Sequence, residues 1–237
     1  MRILSALLAL ASVASACPLA AQSLDQRVAY AVLVQTPPAG LPPVLSNAML
    51  GVPMHAPDIA LRLGHISMNG VGVNMFGATF GIPAGRQATI GFTVGYQGCG
   101  GASGCSEHPV AGGRVEGRLV RSKLGAGTDA ASLSVGLNGE IGFAHPSGDS
   151  NVSLSGGVPI ALVAGGPTLK IAPFLTPALG WGRQSSSVPR SAASLMLGGG
   201  VTVISVTTAI AANFGFQKVF IDGGNTMFGI NVVFGFR

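Results

Sequence analysis

Charge is what this chain has least of. Only 9% of its 237 residues are Asp, Glu, Lys or Arg, against about 25% in ordinary soluble domains. So few charges would leave the surface of a soluble domain poorly wetted. Long apolar runs are missing as well, although 48% of the residues are hydrophobic. Beyond the first 21 residues nothing reaches the ~18 uninterrupted apolar residues that mark a membrane helix. The nearest stretch, 201–216, is β-branched and broken by Thr202, Ser205, Thr207, Thr208 and Asn213. No Walker loop, dinucleotide fingerprint or paired-Cys zinc spacing occurs, so no cofactor and no metal are expected. The net charge of +5 does not indicate a nucleic-acid partner, because the basic residues are scattered. Their one cluster, Arg114, Arg118, Arg121 and Lys123, has no aromatics interleaved and reads as a membrane-surface patch or a solvated strand end.

What is present is alternation. Phe228, Ile230, Val232, Phe234 and Phe236 form an apolar row separated by Gly229, Asn231, Val233 and Gly235. A period of two makes this a strand with one greasy face and one lean face. The same pattern runs over 87–97, 132–143, 152–162 and 168–181, and more weakly over 58–65, 71–82, 114–124, 193–204 and 207–217. These segments have the length of tilted strands that cross a bilayer. The count is ten, with eight as the rival if two weak segments merge. Connections alternate in character: 98–113, 145–150, 183–190 and 218–225 are long or polar, while those near 83–86, 125–129, 165–167 and Ser205 are short. That parity suits an even-stranded barrel with both ends on the side of the short turns. The 37 glycines, set between large apolar residues, permit the bends of a tightly curved sheet.

The N-terminus reads as an export signal: Arg2, an apolar run over 3–13, then small residues with cleavage after Ala16 or Ala21. Cys17 adds a lipidation reading. Residues 22–57 carry a brief alternation and then a proline-rich stretch (Pro37, Pro38, Pro42, Pro43), and read as a periplasmic extension, with a plug inside the barrel as an alternative that no residue demands. The expected organisation is therefore 1–21 signal, 22–57 extension and 58–237 barrel.

Over 58–237 the chain resembles bacterial outer-membrane β-barrel proteins. The resemblance rests on the signal, the alternating strands and the aromatic-ended last strand. It implies an all-β, antiparallel up-and-down barrel in the cell outer membrane, contacting lipid. It also implies that the barrel-assembly machinery recognises Phe228, Ile230, Val232, Phe234 and Phe236, although Arg237 and not an aromatic is last. Tyr96, Trp181, Phe214, Phe216, Phe234 and Phe236 lie near strand ends, where interfacial girdles form.

Inward positions are inferred at Ser132, Ser134, Gly136, Asn138, Glu140, Ser153, Ser155, Thr168 and Lys170. Glu140 and Lys170 are lumen-charge candidates, either bridged across the lumen or solvated near strand ends. Cys99 and Cys105 flank a small loop and are expected to pair as a disulfide in an exported chain. Among the histidines, His108 adjoins Glu107 and His145 lies near Ser147 and Asp149, without the spacing of an established catalytic motif; His55 and His65 complete the set. The expected role is non-enzymatic, structural or interactive, or that of a narrow pore. Two alternatives remain: a soluble exported barrel holding an apolar ligand, with its apolar rows inward, and a hydrolase built on the barrel wall.

Overall fold

Strands with one apolar face must hide either that face or their edges, and this chain hides its edges by closing the sheet. The computed structural model describes residues 45–50, 57–68, 71–100, 107–125, 131–145, 149–185, 189–220 and 226–235. A short helix, α1 (Asn47–Leu50), precedes eleven strands: β1 (Asp58–Met68), β2 (Val71–Pro83), β3 (Ala88–Gly100), β4 (His108–Leu124), β5 (Ala131–Ala144), β6 (Ser150–Gly157), β7 (Ile160–Gly165), β8 (Leu169–Ser185), β9 (Arg190–Ser205), β10 (Ile210–Phe220) and β11 (Thr226–Gly235). Each pairs antiparallel with its neighbours, and β1 pairs with β11 from Asp58↔Gly235 to Ile66↔Met227, which closes the ring.

β6 and β7 are two halves of one barrel strand. Gly157 faces Asn138 and Ile160 faces Val135, so the register against β5 runs through the break unshifted. Against β8 it is likewise continuous, from Gly157↔Ala178 to Ile160↔Leu175. The interruption is Pro159, which has no N–H to give the ladder. The barrel therefore has ten strands, the number expected, and eight is excluded.

The connections are shorter than the sequence suggested. The expected long link over 98–113 is mostly strand, since β3 runs to Gly100 and β4 begins at His108. Glycine and a proline over this stretch erase the apolar alternation while the backbone pairing continues.

The apolar rows face outward. Val94 is 63% exposed and Phe214 60%, while Ser134 and Asn231 are fully buried on the inner side. This arrangement removes the soluble ligand-binding alternative, which needed the opposite sidedness. Strands of ten or more residues, tilted about 45°, span the roughly 25 Å apolar band of an outer membrane, where a closed ladder is the only sheet with no unpaired backbone. Phe228, Ile230 and Phe234 lie exposed on this wall and Val232 is half-buried; Phe236 falls outside the described residues.

In β4 the register against β5 shifts between Arg118 and Val120. This bulge places Leu119 and Val120, successive residues, both on the exposed wall. It also reverses the parity that follows. Arg114 and Arg118 face Glu140 and Gly136, and beyond the bulge Arg121 and Lys123 face Ser134 and Ser132. All four basic residues of the cluster thereby occupy lumen-side register positions. The cluster lines the barrel's mouth and interior and is not an outer surface patch.

Candidate functional site

The lumen holds the densest set of interacting polar groups. At the proximal end, where β1 begins and β11 ends, residues 45–50 sit inside the barrel. Leu45, Met49 and Leu50 are buried in one cluster with Ala60, Val163, Phe174, Ile204 and Val233 from the surrounding wall. Of the extension read over 22–57, residues 45–50 form an internal plug, the alternative to a wholly periplasmic segment. Nothing in 45–50 looks lumenal on its own, and the signal emerges only once a wall exists to receive it.

The plug is held by charge. Ser46 donates from its backbone N (2.7 Å) and from its Oγ (2.5 Å) to Glu116 Oε1. The other carboxylate oxygen accepts from Arg114 Nη2 at 2.8 Å. Arg118 Nη1 donates to the Ala48 carbonyl at 2.9 Å. Charge-assisted bonds of this kind are about twice as strong as neutral ones, and both ions are buried from solvent. Gly136 lets the plug approach the wall, since a Cβ there would lie 2.5 Å from Met49 Sδ. The space left beside Leu45, Ser46 and Arg114 is about 20 Å³, room for about one water and no more.

Further along the lumen the wall is tied to itself. Asn231 Nδ2 donates to Asn213 Oδ1 (3.0 Å), and Asn213 Nδ2 to Thr202 Oγ1 (2.9 Å). Arg62 Nη1 donates to Thr79 Oγ1 at 3.4 Å, and Thr79 shares a 2.8 Å bond with Thr93. Glu140 lies within electrostatic reach of both Arg62 and Arg114 and is the register partner of Arg114. Lys170 is the second residue of β8, in register with Gly165 at the end of β7. The two lumen-charge candidates thus sit at different heights, and the neighbour of Glu140 is an arginine. Sequence reasoning missed Arg62, Arg114 and Glu116 as inward charges. They stand on strands where glycines and the β4 bulge had blurred the alternation.

The remaining candidates separate. Cys99 stands in register with Val73, one pair before the β2–β3 ladder ends, while Cys105 falls outside the described residues, and so does His55. His108 is buried. His145 shares a 3.2 Å bond with Ser150; Ser147 falls outside the described residues. His65 is exposed on the outer wall, with Nδ1 2.7 Å from Asn74 Oδ1.

No family model and no curated protein matches the sequence. Solved outer-membrane barrels do resemble the structure. LpxR from Salmonella typhimurium aligns with a TM-score of 0.44 at 9% identity, over 76% of this chain and 84% of that one. Ail, the attachment invasion locus protein of Yersinia pestis, solved with the heparin analogue sucrose octasulfate, gives 0.32 at 10%, over 76% and 96%. The translocator domain of the autotransporter NalP from Neisseria meningitidis gives 0.31 at 14%, over 90% and 95%.

Proposed function

We propose that this chain is an integral outer-membrane β-barrel with a closed lumen, a scaffold that presents its outer wall and distal rim and does not conduct. The observation that carries this reading is the clasp of Ser46 on Glu116, itself paired to Arg114, which fixes an apolar plug across the proximal lumen. Of the two expected roles, structural barrel or narrow pore, the plug favours the first. The export signal and a periplasmic proximal end belong to the same proposal.

Two measurements test it. Fractionation of cells should release the protein only with detergent, and the unboiled protein should migrate faster on gels than the boiled one. In planar bilayers the full chain should be silent, while a variant lacking residues 22–50 should show discrete openings. Steady conductance by the full chain would overturn the closed lumen.

A further inference from the structure

Two neighbouring rows of the outer wall differ in kind. The register sets His65, Asn74 and Gly98 side by side across β1, β2 and β3. Two residues nearer the proximal end, Ile230, Leu63, Phe76 and Tyr96 line up from β11 to β3. The first row is polar or bare and the second is large and mostly apolar. Both line one open groove of about 560 Å³, which Phe214 and Phe228 extend on the β10 and β11 side. A trough with an apolar length and a polar end matches a single lipid, chain below and head above.

The polar end has hydrogen-bonding capacity that the protein leaves unused. Glu107, the residue before β4, spans two residues that line the groove. Its Oε2 accepts from the Tyr96 hydroxyl at 3.1 Å, and its Oε1 lies 3.8 Å from where a Cβ on Gly98 would stand. Among the described residues no cation pairs with this carboxylate, and Oε1 has no donor. On the other side of the row, His65 Nδ1 lies 2.7 Å from Asn74 Oδ1. A carboxamide oxygen only accepts, so Nδ1 carries the proton and Asn74 Nδ2 keeps two N–H groups to donate. The end of the groove therefore offers negative charge over β3 and N–H donors over β2. Tyr96 fixes the height, since amphipathic rings settle at the headgroup level.

One open carboxylate oxygen is too little for calcium, which takes about six to eight oxygen ligands. It suits an ammonium, which brings three N–H donors and makes a charge-assisted bond to a carboxylate. An anionic head alone would meet Glu107 with like charge. A zwitterion satisfies both sides, with its ammonium on Glu107 Oε1 and its phosphate oxygens on Asn74 Nδ2. We propose that this groove binds a glycerophospholipid with an ethanolamine head, seated in the leaflet at the distal end of the barrel. One acyl chain lies along Leu63, Phe76, Phe214 and Ile230. A trimethylated choline head has no N–H to give, and a glycerol head carries no cation, so the site discriminates among lipids with the same chains. It rests on the membrane reading of the wall and is independent of whether the lumen conducts.

The test offers the full chain, in mild detergent, equal amounts of phosphatidylethanolamine, phosphatidylcholine and phosphatidylglycerol with identical acyl chains. Native mass spectrometry then counts the lipid retained. One phosphatidylethanolamine per chain is expected, at about tenfold preference over each of the others. E107Q keeps an acceptor for Tyr96 and removes the charge, so the preference should fall about tenfold while retention of phosphatidylcholine stays the same. A Cβ at Gly98 meets nothing nearer than 3.8 Å, so G98L fits the strand, fills the polar end and should lose the bound lipid. Both variants should remain heat-modifiable on gels, and the comparison on the native chain decides alone if one does not fold. Equal retention of the three lipids overturns the proposal, as does a preference for phosphatidylglycerol or a preference that survives E107Q. A protein that stays in solution without detergent would overturn the membrane reading of the wall, and the site with it.

Discussion

Two polar clusters, one inside the barrel and one outside, differ in how completely their atoms are matched. Inside, both oxygens of Glu116 are taken, one by Ser46 of the plug and one by Arg114 of the wall. Outside, His65 is bonded through one nitrogen to Asn74 and lays its other edge over Gly72 on an exposed wall. Buried ions with every lone pair engaged hold a structure in place, because losing one partner strands the other. An exposed pair loses far less when one partner goes, because water replaces it. The contrast divides the molecule into a lumen locked by matched charges and a wall whose polar pair holds nothing else in place.

The sharpest attempt to break that division is Glu116→Ala. Removing the carboxylate leaves Arg114 buried beside an unclasped plug, and about 3–5 kcal/mol of stability should be lost in urea titrations of the folded barrel. A loss under 1 kcal/mol would show that the lumen is wet enough to do without the pair. Next comes Val94→Arg on the wall, which should cost about 2–4 kcal/mol in lipid and far less in detergent micelles. Equal cost in both would mean that this row does not face hydrocarbon. Within the lumen, Asn213→Ala cuts the Asn231–Asn213–Thr202 chain and should cost about 1–2 kcal/mol, checked by the same titration. The smallest effect belongs to Pro159→Ala. The regained ladder bond, about 1 kcal/mol, is offset by the freer unfolded chain, leaving a net change within about 0.5 kcal/mol.

The sidedness of the wall was legible because lipid imposes a rule on every second residue. Rows such as Phe228, Ile230 and Phe234, or Ile90, Phe92 and Val94, announce themselves without a partner. The lumen obeys no such rule. Arg62 and Glu116 sit inside because their cross-strand neighbours do, and that depends on register, which Leu119 alters by one residue in β4. A plug was an open alternative in the sequence, but the residues that seat it were illegible for the same reason, since Ser46 and Glu116 are 70 residues apart. The partner of His65 escaped notice because it lies on the next strand, Asn74 facing it across the β1–β2 register. Counting connections was right about parity and wrong about length, because glycine-rich strand ends look like loops.

The plug also bears on how the barrel comes to be closed. Its helix α1 lies against β3, β4, β5 and β7, and its apolar cluster reaches Ala60 of β1 and Val233 of β11 as well, the two strands whose pairing seals the ring across almost the whole length of the chain. Such a distant pairing forms slowly, because the ends must find each other against the entropy of everything between. An apolar segment packed against both of those strands gives the closing sheet an inner surface that both can share. The residues that obstruct the lumen are therefore also a tie across the seam of the cylinder, apolar on both sides of the join.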